Sequence, residues 1–347
     1  MYSKKISLVF TIPIFQTLFM LAVLLVAQPA IALEDRVQEL VEGAKKEGKM
    51  SFYTSMGQQD CSALLQKFEA KYPFIKTELS RLNAERLLIK FLAEAKAKRN
   101  TADVIINGGF RTQITKKAGL LMKYVSPESK AYPEGFKDPE GYWTDTFNNA
   151  NVLAYNTRLV AAKDLPQNYE DLLQPRWKGK IGMETKAYEW FFQMLRIMGE
   201  EKGIEYMKKL AQQKPMLRIG GTLLAQLVVA GEFPLAITTY SNGVEVSRSL
   251  GAPVDWIPLY PVIGILHPVA IAAHAPHPHA AKLFVDFVLS KEGMGIIRSF
   301  KRIPSRPDVE PDPPRLTHGF RIFPSEPLMA DDYEKYVKMF RTIFLQQ

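Results

Sequence analysis

The sequence is short of the residues that usually announce chemistry. It has one cysteine in 347 residues, Cys61, so no intramolecular disulfide can form; the thiol reads as a small buried hydrophobe near a helix start. Histidines number five, and four of them, His267, His274, His277 and His279, lie close in sequence. Their spacing is compatible with a metal site. Glu184 and Glu189 have no nucleophile, serine elbow or phosphate loop beside them, so they read as solvated charges rather than an acid–base pair. No internal repeat is present, and after residue 32 no apolar run reaches bilayer-spanning length. These absences speak against covalent or phosphoryl-transfer catalysis and against a multi-span membrane protein. No enzyme activity and no cofactor are expected.

What is present begins with an export signal. Lys4 and Lys5 precede an apolar stretch from Ile6 to Ala27, which closes on Ala30-Ile31-Ala32. A positive start, an apolar middle and a small-x-small end predict a signal peptide over 1–32 and a periplasmic product. The competing reading is a retained membrane anchor, because the apolar stretch is long for a leader. No cysteine follows the cut, which argues against a lipoprotein. Removing 32 residues takes two lysines from a net charge of +9. The remainder is still longer than the roughly 250–300 residues at which single cores stop growing, so two lobes are expected. The remaining positive charge alternates with acids, as at Glu39, Glu42, Lys45, Lys46 and Glu47. That is the pattern of a solvated helix face and not of a nucleic-acid surface.

Strand and helix signals alternate. Residues 37–47 and 60–71 are amphipathic, 49–54 and 74–79 extended, and Leu87, Leu88, Phe91, Leu92 and Ala95 share one face of a helix over 84–98. Ala102 to Ile106 is nearly all apolar, as in a parallel strand covered on both faces. Residues 126–149 are rich in Pro, Gly, Tyr and charge and read as a connecting segment. A second series follows, with strands at 151–155, 234–239, 254–258 and 267–273 and helices at 188–199, 203–212, 221–231, 243–250 and 279–290. A Pro-rich tail then leads to a helix over 330–345. This β-α alternation predicts an α/β fold in two lobes. Lobe one takes 33–148 with 266–310, and lobe two takes 149–265 with 311–347. The chain would cross between lobes near Asn149 and return near His267, giving a hinge and a central cleft.

Three stretches carry a family resemblance. They are Val152 to Thr157 followed by Pro175-Arg176-Trp177-Lys178-Gly179-Lys180-Ile181; Ala225 to Ala236 with Gly231-Glu232-Phe233-Pro234; and His277 to Gly293. In these the chain resembles the ferric-iron-type periplasmic solute-binding proteins of ABC transporters. The resemblance implies the type II periplasmic-binding architecture, a monomer that closes on a small ligand, and a membrane permease and ATPase as partners; it places His277-Pro278-His279 before a helix as a surface capping turn rather than a metal site. It also implies where iron ligands would stand, and they are missing. The loop Tyr53-Thr54-Ser55-Met56-Gly57-Gln58-Gln59 has no histidine, and Asn107-Gly108-Gly109 stands where a glutamate is expected. Ser241 and Asn242 occupy the places of the paired tyrosines, with Tyr240 one position early.

Small polar residues fill those places instead. Ser55, Met56, Gln58, Asn107, Gly108, Gly109, Thr239, Tyr240, Ser241 and Asn242 are the candidate ligand residues, together with Thr185, Ala187 and Tyr188, at a helix start where relatives hold an anion. Thr222 opens another helix after Gly220-Gly221, and Tyr260 completes the set. Loops of this composition between strand ends and helix starts offer backbone N–H groups to an anion, although Ser and Thr before helices are also ordinary caps. Arg81, Arg111 and Arg218 are candidates for clamping a carboxylate or phosphate. An oxyanion, carboxylate or phosphorylated organic ligand is the leading expectation. An atypical iron site using Tyr188, Tyr240 and Tyr260 is one alternative, and a ligand sensor is another.

Overall fold

The structure, a computed structural model, describes residues 35–325 and 332–345; the expected leader over 1–32 lies outside them. The first series runs α1 (35–47), β1 (Lys49–Thr54), α2 (Gln58–Lys71), β2 (Lys76–Arg81), α3 (Ala84–Lys96), β3 (Val104–Ile106), α4 (Gly109–Lys117) and β4 (Leu121–Met122). A long strand β5 (Thr144–Asn156) leads into β6 (Ile181–Glu184), α5 (Tyr188–Met198), α6 (Glu200–Gln212), β7 (Met216–Arg218), α7 (Gly221–Ala230), β8 (Leu235–Tyr240), α8 (Ser241–Ser249) and β9 (Val254–Ile257). The chain returns through β10 (Val262–Ala272), α9 (Pro278–Leu289), α10 (Lys291–Ser299), β11 (Ile303–Pro304) and β12 (Ile322–Pro324), and closes with α11 (Tyr333–Phe344).

These elements make the two-lobed α/β architecture that the alternation predicts. The strands follow the order β2-β1-β3-β10-β5-β8-β6-β7. In lobe one β1 pairs in parallel with β2 and β3; in lobe two β6 pairs in parallel with β7 and β8. Parallel strands need helical crossovers, which cover both faces, and Val104, Ile105 and Ile106 are accordingly all buried. Phe284 on α9 packs 5.0 Å from the rings of both Phe52 and Phe68. Truncating such a buried ring costs about 3–5 kcal/mol. In lobe two Tyr188 and Phe191 meet Phe340 of α11 edge-on at 5.2 and 5.5 Å.

β5 corrects the expectation of a connecting segment up to residue 149. All thirteen of its residues are buried strand. Residues 144–150 pair with β10, and 151–156 with β8 and β9, so one strand serves both lobes. Its middle reads as loop in sequence because it is Asn148-Asn149-Ala150-Asn151. Buried asparagines persist in a strand only if their amides find partners, and Asn151 Nδ2 donates to the Ile263 carbonyl at 3.2 Å. β10 starts before the expected 267 because His267-Pro268 looks like a break. The ladder shifts register between Leu266 and Pro268, where the proline lacks a donor. β5 and β10 are thus the strands joining the two halves.

Candidate functional site

A cavity of about 450 Å³ lies between the lobes. Each lobe sends three strand-to-helix junctions to its wall, the place where parallel sheets bind ligands. Lobe one supplies Ser55, Met56 and Gly57 after β1, Arg81, Asn83 and Ala84 after β2, and Gly108, Phe110 and Arg111 after β3. Lobe two supplies Glu184, Lys186, Ala187, Glu189 and Trp190 after β6, Gly220 and Gly221 after β7, and Thr238, Tyr240, Asn242 and Gly243 after β8. Phe147, Asn149 and Asn151 of β5, Ile265 and His267 of β10, and Arg302 complete the lining.

Helix starts dominate this wall. Gly57, Gly108, Ala187, Gly220 and Tyr240 are the N-cap residues of α2, α4, α5, α7 and α8, and none makes a side-chain capping bond. All five line the cavity. The first N–H groups of a helix have no intrahelical acceptor, and its N-terminus carries about half a positive charge. By contrast Asn83 does cap α3, accepting from Arg86 N at 2.9 Å. Glycine is needed at Gly220, where φ is 105°. Thr238 holds φ 60°, a conformation that β-branched residues avoid. Its Oγ1 accepts from Glu184 N at 2.9 Å and donates to the Ile237 carbonyl at 2.6 Å.

The charged groups are partly committed to one another. Arg302 donates from Nε to Asp60 at 2.9 Å and from Nη1 to Asn149 at 3.3 Å, and lies 4.4 Å over the Phe147 ring. Arg81 Nε donates to the Met56 carbonyl at 3.0 Å. Arg111 reaches Glu85 at 3.4 Å and, across the cleft, Glu189 Oε1 at 3.7 Å. Burial raises the Glu189 carboxyl to about 7, against the pull of Arg111. Burial also raises Glu184, which the N–H groups of Lys186 and Gly220 partly offset. His267 stacks 4.4 Å from Phe147, and burial, aided by Arg302, lowers it to about 3. Burial pushes the Tyr240 phenol up, and the nearby Glu189 adds to this.

Of the residues expected from sequence, Ser55, Met56, Gly108, Ala187, Tyr240 and Asn242 line the cavity. Asn107 stands behind it and ties two junctions together: its Nδ2 donates to the Ala84 carbonyl at 3.1 Å and its Oδ1 accepts from Gly108 N at 2.9 Å. Gly109 faces Leu266, and a Cβ there would lie 3.2 Å from that side chain. Thr239 turns to β5, donating to the Val152 carbonyl at 2.9 Å, and Ser241 is buried beneath the wall. Gln58 donates to Ser62 at 3.3 Å, while Thr185 bonds through its backbone to the Arg218 carbonyl at 2.9 Å. Thr222 is the second residue of α7, and its side chain lies outside the described ones.

The three tyrosines considered for iron stand apart. Tyr188 is in the lobe-two core, Tyr260 is 69% exposed against Phe323, and only Tyr240 meets the cavity. The histidines also separate: His277 Nδ1 lies 2.8 Å from Asp103, His279 Nδ1 lies 2.7 Å from Glu47, and His267 lines the cavity. His277 is the N-cap of α9 with Pro278 next, as the capping-turn reading has it, and both rings of the turn also bond to neighbouring elements. Glu184 and Glu189 are cleft residues rather than solvated charges, a second correction. Their signal was position, since they flank Thr185 and Ala187 at the same junction. Of the three arginines, Arg81 and Arg111 reach the cavity, whereas Arg218 pairs with Glu232. Arg302 and Asn149 had no local sequence signal. Among the described residues no three His, Cys, Asp or Glu side chains gather as a metal site, and no helix is long and apolar enough to cross a membrane.

Residues 99–319 match the family described as "Bacterial extracellular solute-binding protein". The chain is 23% identical over 271 residues to "Iron uptake protein A1" of Synechocystis, covering 72% of this chain and 73% of that protein. Among solved structures it is similar to AfuA of Actinobacillus pleuropneumoniae with fructose-6-phosphate bound, at TM-score 0.74 and 24% identity, covering 86% of this chain and 99% of that one. It is likewise similar to iron-bound HitA of Pseudomonas aeruginosa, at TM-score 0.72 and 20% identity, covering 85% and 99%. The chain belongs to the bacterial extracellular solute-binding proteins, and its likenesses are to the ferric-binding-protein-like members.

Proposed function

We propose that this solute-binding protein captures a small organic anion between its lobes, as the periplasmic ligand-catching subunit of an ATP-driven importer. One observation carries the reading: five helix N-termini without side-chain caps converge on one cavity with Arg81, Arg111 and Arg302. N–H groups and guanidiniums so arranged favour an oxyanion or carboxylate. A cavity of about 450 Å³ exceeds what a bare ion fills and lies within the usual range for small-molecule sites. The lobes, divided at the boundaries drawn from sequence, would close about β5 and β10. Contacts from both walls then offset the desolvation of the charged groups, and the closed form is what a permease and its ATPase would receive. The leader over 1–32 accounts for export, no bond is made or broken, and the protein acts as a monomer.

Ferric iron is the second reading. It draws on the Synechocystis and Pseudomonas relatives and on Tyr240, Glu184 and Glu189, whose oxygens share the cavity. A thermal-shift panel separates the two. Organic phosphates and hydroxy-carboxylates are expected to raise the melting temperature, because a ligand at 100 times its Kd adds about 2.7 kcal/mol. Stabilisation by ferric citrate alone, with a visible tyrosinate-to-iron band, contradicts the anion reading. A sensor of the same ligand would bind equally but would leave uptake intact when the gene is deleted.

A further inference from the structure

We infer that Glu189 makes the cleft select organic anions that carry a hydrogen-bond-donating hydroxyl or ammonium group, and disfavours anions without one. This rests on the anion reading and deepens it. Two carboxylates follow β6, and they differ in what they hold. Glu184 is engaged: Oε1 accepts from Lys186 N at 3.2 Å and Oε2 from Gly220 N, which fixes the loop before α7. Glu189 is not. Its side chain is 10% exposed, and Oε2 is buried with no hydrogen-bond partner among the described residues. Oε1 lies 3.7 Å from Arg111 Nη1, an ion contact too long for a hydrogen bond. A buried acceptor left bare is costly, and a turn of the carboxyl toward the cavity it lines would bring it against a ligand O–H or N–H and remove that cost. Above about pH 7, where this carboxyl is ionised, an anion lacking such a group gains from the helix starts and the guanidiniums but leaves Glu189 bare and adds like-charge repulsion. Sites built around an unsatisfied polar group reject analogues that cannot satisfy it. Burial, which holds this carboxyl near 7, has the same origin as its missing partner.

The test is calorimetric titration at pH 8, where Glu189 is ionised, of the wild-type chain and of Glu189→Gln with two matched sets. The first is methyl phosphate, glycerol 3-phosphate and ethanolamine phosphate; the second is acetate and glycerate. In the wild type a donor-bearing ligand of at least one set is expected to bind about tenfold or more tighter than its donor-free partner. In Glu189→Gln that ratio is expected to fall to within about threefold, while methyl phosphate or acetate binds as well as before or better. Equal affinities within both sets in the wild type overturn the role of Glu189 and leave the anion reading standing; because this arm uses the native chain, it decides even if the variant folds poorly. A wild-type ratio that survives in a folded Glu189→Gln also overturns it. Absence of binding by every member of both sets overturns the anion reading and this inference with it.

Discussion

The two walls of the cleft are built alike and charged differently. Each comprises three strand-to-helix junctions, and each exposes helix starts without side-chain caps, Gly57 and Gly108 on one side and Ala187, Gly220 and Tyr240 on the other. The lobe-one wall, however, carries Arg81, Arg111 and Arg302, whereas the lobe-two wall carries Glu184, Glu189 and Lys186. The contact between Arg111 and Glu189 is where the two meet. Helix starts favour anions in general; on the proposed reading the side chains would divide the work, lobe one holding negative charge and lobe two testing what else the ligand carries.

The largest break in this comparison is to remove a cation from the lobe-one wall. Arg111→Ala deletes a guanidinium and leaves Glu189 without its counter-charge, so the affinity for an organic phosphate is expected to fall by about 2 kcal/mol, roughly thirtyfold. Titration calorimetry reads this directly, and a change of less than about threefold detaches Arg111 from the ligand.

The next sharpens the contrast through pH. Glu189 titrates near 7 in the folded protein, above its ordinary 4.5, because burial disfavours its charge. The folded state therefore binds this proton more tightly than the unfolded one. Its contribution is fully present below about pH 4.5 and is lost as pH rises to about 7, on the order of 3 kcal/mol. Arg111 of α4, Glu184 of β6 and Tyr240 at the start of α8 share its surroundings. Glu189→Gln is expected to remove this loss, so denaturant melts should show the variant gaining on the wild type between pH 4.5 and 7.5. His267 has the opposite sign. Burial holds it neutral down to about 3, so its stability is complete above about 6.5 and is lost as pH falls. His267→Gln should blunt the acid side of the same curve.

Thr238 and Arg81 give the smaller effects. Thr238→Ala keeps the unfavourable backbone but loses both Oγ1 hydrogen bonds, and a loss of about 1–2 kcal/mol in unfolding free energy is expected. Arg81 is exposed, and among the described residues its side chain bonds to the Met56 carbonyl. Arg81→Ala should therefore weaken anion binding by less than about 1 kcal/mol.

Much of this fold is legible in sequence, for reasons particular to its elements. β3 is a short apolar run and α9 an amphipathic one behind Pro278, so period and punctuation identify both. β5 escapes because its centre is Asn148-Asn149-Ala150-Asn151, a loop-like run in which Asn151 is held by the Ile263 carbonyl and Asn149 by Arg302, both far off in the chain. The cleft follows the same division. Ser55, Met56, Gly108, Ala187, Tyr240 and Asn242 stand at strand-to-helix junctions and can be found from local pattern. Arg302 cannot: it comes from the far end of the chain and reaches the cavity through Asp60 and Asn149. Glu189 was visible as a residue but not as a buried one, since nothing local says that Arg111 comes against it from the other lobe.

The most direct test of the account is calorimetric titration of the full-length wild-type protein with glycerol 3-phosphate and, in parallel, with ferric citrate. The account predicts saturable one-site binding of the organic phosphate, weakened by added salt and by Arg111→Ala. Heat that saturates only with ferric citrate, accompanied by a visible tyrosinate band that Tyr240→Phe abolishes, would contradict it.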